Sequence, residues 1–208
     1  MGGIVMYELP KLPYLFQDLE PYIDTHTMGL HYYKHQLGYL NKLNDLLIKS
    51  NYDYRYTIEE LPFHIMEFPK NIQEDILFNL GGVLNHNLYF NSISPKKNGF
   101  PNGKLRKKIE NQFGSLDIFF TKLKENVMKL KGSGYTFLVL RNDGMLEIKN
   151  FSNQELPVLF GYIPLFNIDL WEHAYYINYE NNKSNYFDNF ILIADFTNAN
   201  NIYNKLLK

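Results

Sequence analysis

A chain of 208 residues with 45% hydrophobic and 21% charged residues describes a folded globular protein, and excludes a disordered or membrane-spanning one. The net charge of −1 excludes a global attraction to nucleic acid or anionic lipid. With no cysteine, disulfides, thiolate ligands and iron–sulfur clusters are excluded, so any metal must be held by histidine, carboxylate or carbonyl. The opening "MGGIVMYELPKLPY" has no basic region leading into an apolar core, and no Ser or Thr at position 6 for myristoylation. Together with the missing cysteines, this sets the expected location in the cytoplasm.

From Asp24 to about Ser50 the chain reads as one long amphipathic helix, because Met28, His31, His35, Tyr39, Leu43 and Leu46 or Leu47 recur at three- and four-residue steps. Asp24 or Thr25 is placed to cap it. A polar, proline-punctuated connection follows, with room for one short helix. A second long helix is expected from about Asn71 to Ser92. Its Gly81-Gly82 pair is unfavourable in a helix interior by about 1 kcal/mol each against Ala, which points to close packing or function.

"SPKKNGFPNGK" concentrates Pro, Gly and Asn, and divides the chain into residues 1–95 and 96–208. A helix from about Leu105 to Leu130 is expected to break near Phe113 to Ser115. The period then changes. "YTFLVLRNDGMLEIKNF" is two strand-like runs around Asn142-Asp143-Gly144, a strong hairpin signal. A third strand spans roughly Ile163 to Ile168, and a last helix about Tyr186 to Leu207. The fold class is α+β: a long N-terminal helical hairpin, then a small three-stranded antiparallel sheet packed with helices.

"DLWEHAYY", residues 169 to 176, holds the only tryptophan, with a carboxylate and a histidine four apart. Buried charge is unfavourable unless paired or bound to metal. Of the six histidines, His26 and His64 lie in polar loop or helix-end contexts. His31, His86 and His173 each lie on the apolar side of their own segment. Three imidazoles and Asp169 converging from separate elements would make a four-ligand N₃O site with an open position. Without thiolates such a set suits Mn, Fe or catalytic Zn.

The motif "DLWEHAYY" resembles the D-x-W-E-H-A-Y-Y signature of the iron/manganese superoxide dismutases. "YELPKLPY" is similar to that family's opening, and "HYYKHQLGYLNKLN" to its first helix. "NHNLYFN" is similar to the second helix, and "GSGYTFLV" to the hairpin entry. The resemblance spans nearly the whole chain. It implies a superoxide dismutase that converts superoxide to dioxygen and hydrogen peroxide at one mononuclear Mn or Fe ion per chain.

By position, the resemblance implies His31, His86, Asp169 and His173 as metal ligands and Tyr39 as a gateway tyrosine. His35 matches an outer histidine that Tyr176 reaches from a partner subunit. Glu172 matches a glutamate that crosses the interface to the partner's ligand histidine, so a homodimer or a tetramer is expected. Gly82 with Gln154 in "SNQELP" follows the manganese pattern, in which the glutamine that hydrogen-bonds the solvent ligand comes from a loop. Iron-type members carry that glutamine four residues before the ligand histidine. Lys34 and Lys183 are candidates for a positive funnel toward the superoxide anion. No nucleic acid or membrane partner is expected.

The chain departs from the family at Gln36, where a second histidine is usual, and at Tyr135, Phe137 and Phe90, where tryptophans are common. It also carries Asp195-Phe196 for a familiar Asn-Trp. Rival readings are a zinc hydrolase, a metal store, and a divergent member with reduced activity serving as a metal-binding or structural protein. The hydrolase lacks a general base near the metal. A store has no need of Tyr39 or Glu172, and a structural relic would have lost ligands first.

Overall fold

The computed structural model describes residues 6–96 and 99–207. Positions 1–5, where a myristoylation signal would begin, and 97–98, in the Pro/Gly/Asn-rich connection, lie outside the described residues. The first long helix starts as expected. The Asp24 carboxylate accepts the Thr27 N–H at 2.7 Å and the Thr27 hydroxyl at 2.8 Å, capping α1 (Thr25–Leu30). Apolar periodicity did not reveal what comes next. His31–Gln36 is wound as a π-helix, with the Leu37 N–H reaching back five residues to the Tyr32 carbonyl. The rod then continues as α2 (Leu37–Lys49).

Two 3₁₀ turns, Leu61–Glu67 and Lys70–Ile72, lead into α3 (Gln73–Phe90), which is somewhat shorter than the expected 71–92. Leu40, Leu43 and Leu47 of α2 meet Ile76, Leu80 and Val83 of α3 in one apolar cluster closed by Tyr52, Leu61, Phe68 and Leu156. The expected break near Phe113 separates α4 (Gly103–Phe113) from α5 (Leu116–Lys129). Gly114 takes φ +102°, which a side chain rarely adopts, and the Ser115 hydroxyl caps α5.

The sheet is three-stranded and antiparallel, in the order β2-β1-β3, with β1 (Gly134–Leu140), β2 (Leu146–Ser152) and β3 (Ile163–Asp169). Central β1 is buried throughout, as its unbroken apolar run requires. Asn142-Asp143-Gly144 turns the chain inside a five-residue loop closed by Arg141 and Met145, longer than a tight two-residue hairpin. In the β1–β3 register Tyr135 faces Asp169 and Phe137 faces Asn167, and the ladder shifts between Leu138 and Val139.

Beyond the sheet lie a 3₁₀ turn (Glu172–Ala174), α6 (Tyr176–Tyr179), α7 (Lys183–Ile193) and α8 (Thr197–Leu206). The single last helix expected from Tyr186 to Leu207 is therefore two. Long-range contacts break it. Ala194 bridges to Ile93, the Asp195 N–H donates to the Ser92 carbonyl at 2.8 Å, and Phe196 stacks on Phe166 at 4.0 Å. The larger core cluster joins α1, the end of α3, the sheet and α4 to α8. No helix among the described residues is long and apolar enough to cross a membrane.

Candidate metal centre

Four elements deliver one side chain each to a single point between the hairpin and the sheet. His31 stands at the start of the π-helical segment, His86 in the last turns of α3, Asp169 at the end of β3, and His173 in the 3₁₀ turn after it. Asp169 Oδ2 lies 3.1 Å from His31 Nε2, 3.5 Å from His173 Nε2 and 3.8 Å from His86 Nε2. All four candidate ligand atoms fall within 4.8 Å of one another. His31, His86 and Asp169 are fully buried, while the His173 side chain is 10% exposed.

This donor set fits a transition-metal ion. Ligand atoms about 2.1 Å from a shared ion, at right or trigonal angles, lie roughly 3.0 to 3.6 Å apart, close to the separations found here. The Nε2 atoms of His86 and His173 are buried with no hydrogen-bond partner among the described residues, an arrangement that a bound cation would satisfy. The other face of His86 is fixed, because its Nδ1–H donates to the Gly82 carbonyl at 2.5 Å and leaves Nε2 as a lone pair.

Burial pulls His31 down to about 4 against the hydrogen bond that Asp169 accepts from it, and holds His86 well below its ordinary value with His31 adding to the effect. Both imidazoles are thus neutral, as ligands must be. Burial pushes the Asp169 carboxyl up, but the facing His173 and His31 outweigh it and hold it below the usual carboxylate range. Its Oδ1 accepts the Trp171 N–H at 2.8 Å, which aims Oδ2 inward.

Aromatic rings enclose the cluster. His31 packs against Tyr89 and Phe90, with centroids at 4.8 and 5.0 Å, and Tyr39 and Tyr135 lie 5.6 and 6.2 Å from His86. His35 stacks on His173 at 3.9 Å and 16°, with Trp171 nearly parallel to the same imidazole at 5.7 Å. Burial, with the Asp169 charge adding to it, raises the Tyr39 phenol. Gln154 is itself buried. Its Oε1 accepts from Asn85 Nδ2 at 3.3 Å, and its Nε2 has no partner among the described residues.

The glycine pair has a steric reason finer than close packing. A Cβ at Gly81 would overlap the Gln154 backbone, and one at Gly82 would stand inside the Tyr39 ring. Together they let the Tyr39 ring and the loop that carries Gln154 lie against α3.

Glu172 and Tyr176 are not brought into this cluster. Both are exposed, and neither side chain makes a hydrogen bond or ion pair among the described residues. Gln36, 1% exposed, donates to Asn87 Oδ1 at 2.6 Å, and Asp195 caps α8 at the Thr197 N–H. Lys34 is exposed, whereas Lys183 Nζ donates to the Leu130 carbonyl at 3.2 Å. Sequence reasoning missed Asn85, whose place in "NHNLYFN" beside a candidate ligand was a usable signal. It also missed the Tyr135 hydroxyl, 3.4 Å from His86 Nδ1, read only as a bulky ring.

A helical hairpin and a small sheet closed around an N₃O cluster define the class of a metal-binding protein. Residues 6–94 match the model for the iron/manganese superoxide dismutases' alpha-hairpin domain, and residues 101–202 the model for their C-terminal domain. Proteins of Listeria innocua serovar 6a, Listeria monocytogenes serovar 1/2a and Listeria ivanovii, each described as superoxide dismutase (Mn), are 38% identical over 194 residues. Those matches cover 93% of this chain and 96% of each relative. The chain belongs to the iron/manganese superoxide dismutase family.

Proposed function

We propose that this protein is a superoxide dismutase that holds one ion per chain, manganese in preference to iron, through His31, His86, Asp169 and His173. The observation that carries the reading is the convergence of three imidazole Nε2 atoms on one buried carboxylate oxygen. The bound ion would supply an alternation between +3 and +2 states, by which one superoxide is oxidised to dioxygen and another, taking two protons, is reduced to hydrogen peroxide. Zinc has no such couple, which disfavours the hydrolase reading.

The chain's own groups supply charge, geometry and protons. Asp169 contributes one negative charge and the histidines none, so the site keeps an anion-attracting surplus when loaded. The Gly82 carbonyl fixes the His86 tautomer. Tyr39 keeps its proton, because burial raises its phenol, and its ring lies 5.6 Å from that of His86, beside the ligand cluster. It is the group best placed to pass a proton inward. The manganese preference is supported by Gly81 and Gly82, which admit a loop-borne Gln154, and by the names of the relatives.

The same reading makes the active form a dimer. The reading is supported by Glu172 and Tyr176, exposed on either side of His173 in sequence, and by His35 stacked on that imidazole, which leave polar groups free for a second copy across a two-fold axis. Metal-free protein reconstituted separately with manganese and iron tests the assignment, by bound metal and superoxide turnover together. One manganese per chain with the higher turnover is expected; markedly higher iron activity overturns the preference, and turnover with neither metal overturns the function.

A further inference from the structure

The strand ending at Asp169 and the helix carrying His86 are separate elements, so the cluster's dimensions depend on how far one is shifted along the other. The sheet fixes Asp169 against β1, since the ladder slips only at Pro164 to Phe166 and runs in register from Phe166 to Asp169, but it does not include the helix that carries His86. Asn167, two residues before Asp169 and 0% exposed, spans the gap. Its Nδ2 donates to the Asn85 backbone carbonyl at 3.0 Å, and its backbone N–H donates to Ser92 Oγ at 3.3 Å. The Ser92 hydroxyl in turn donates to the Leu88 carbonyl at 2.8 Å. The helix is therefore gripped on both sides of His86. From Asn85 the contact runs on, as its side chain donates to Gln154 Oε1 and to the Glu155 carbonyl, each at 3.3 Å.

The other end of the Asn167 amide is unfavourable. Its Oδ1 is buried without a partner among the described residues, a desolvation penalty that an apolar side chain would not incur. An amide kept under that penalty is best accounted for by position rather than by stability.

We infer that Asn167 is a positioning residue for the metal centre: its amide sets the register of Asp169 against His86 and, through Asn85, the placement of the Gln154 side chain. The inference rests on the reading of His31, His86, Asp169 and His173 as the ligands.

The test compares full-length metal-free wild type with Asn167→Leu, Asn167→Asp, Ile168→Val and His86→Ala. The readouts are Mn(II) affinity by chelator competition, the Mn(II) electron paramagnetic resonance spectrum and the melting temperature. Asn167→Leu fills the site but removes the donor, and is expected to weaken Mn(II) binding roughly 10-fold to 100-fold and to change the spectrum. Asn167→Asp keeps the shape, turns the donor into an acceptor, and is expected to do the same, so the test stands if the leucine variant fails to fold. Ile168→Val, a core change on the opposite face of the strand, is expected to lower the melting temperature and leave affinity and spectrum unchanged. Wild-type affinity and spectrum in a folded Asn167→Leu or Asn167→Asp protein would overturn the inference. An error in the ligand reading shows separately, as wild-type affinity in His86→Ala.

Discussion

The two halves of the chain each bring two candidate ligands to the same point, but by opposite means. The hairpin half works from helix interiors: His31 and His86 are fully buried, one on a π-wound turn and the other one turn beyond a glycine pair. The sheet half works from ends. Asp169 closes a strand, and His173 sits on a short 3₁₀ turn, partly exposed, between the exposed Glu172 and Tyr176. One half encloses its ligands within helices, on a π-wound turn and beside a glycine pair. The other leaves its histidine partly exposed.

The sharpest way to break this comparison is to remove a ligand from the enclosed half. His86→Ala is expected to lower metal affinity by more than about 100-fold, beyond the usual effect of an outer partner, and to abolish turnover while far-ultraviolet circular dichroism stays native. A variant that keeps wild-type metal and activity would remove His86 from the site.

Enclosure also makes the metal-free protein acid-sensitive. His31 falls from 6.5 to about 4 on folding because burial disfavours its charged form. Between those values the unfolded chain takes up a proton that the folded chain refuses. The contribution is therefore complete above pH 6.5 and is lost as pH falls toward 4, on the order of 3 kcal/mol in all. Urea midpoints of metal-free protein at pH 7 and pH 4 measure it; equal values would mean that His31 is not desolvated.

A smaller effect is expected where the close approach at the glycine pair is touched. Gly82→Ala sets a methyl group against the Tyr39 ring, so the ring or the helix must move. A loss of about 2 kcal/mol is expected by chemical denaturation, with reduced turnover. Unchanged stability would show that the tyrosine is free to swing away.

The open half predicts a different signature. Glu172→Gln keeps size and loses charge, and is expected to weaken subunit association and lower metal affinity by roughly 10-fold. Sedimentation at several concentrations, paired with turnover, decides it. A variant that is monomeric and fully active would end the proposal that a second copy completes the site.

Much of this division was legible in the sequence because its signals are local. The 3.6-residue period carried the first two helices, two strand-like runs around the Asn-Asp-Gly turn carried the hairpin, and "HYYKHQLGYLNKLN", "NHNLYFN" and "DLWEHAYY" together carried the four candidate ligands. What stayed hidden depends on distant parts of the chain. The π turn keeps the same apolar residues as an α turn, so periodicity is blind to it. The break at Ala194 to Phe196 is imposed by Ile93, Ser92 and Phe166, none of them nearby in sequence. Asn167 reads as one polar residue in an apolar strand, and only the fold gives it Asn85 as an acceptor.

The glycine pair also closes off a path of change. A side chain at position 82, four residues before His86, would occupy the volume now filled by the Tyr39 ring, and one at position 81 would displace the Gln154 backbone. An amide carried on the helix at position 82 is therefore a rival of the Tyr39 ring, not of the loop, and the loop is held in place by the absence of a side chain at position 81. Substitution at either glycine has to move a different neighbour.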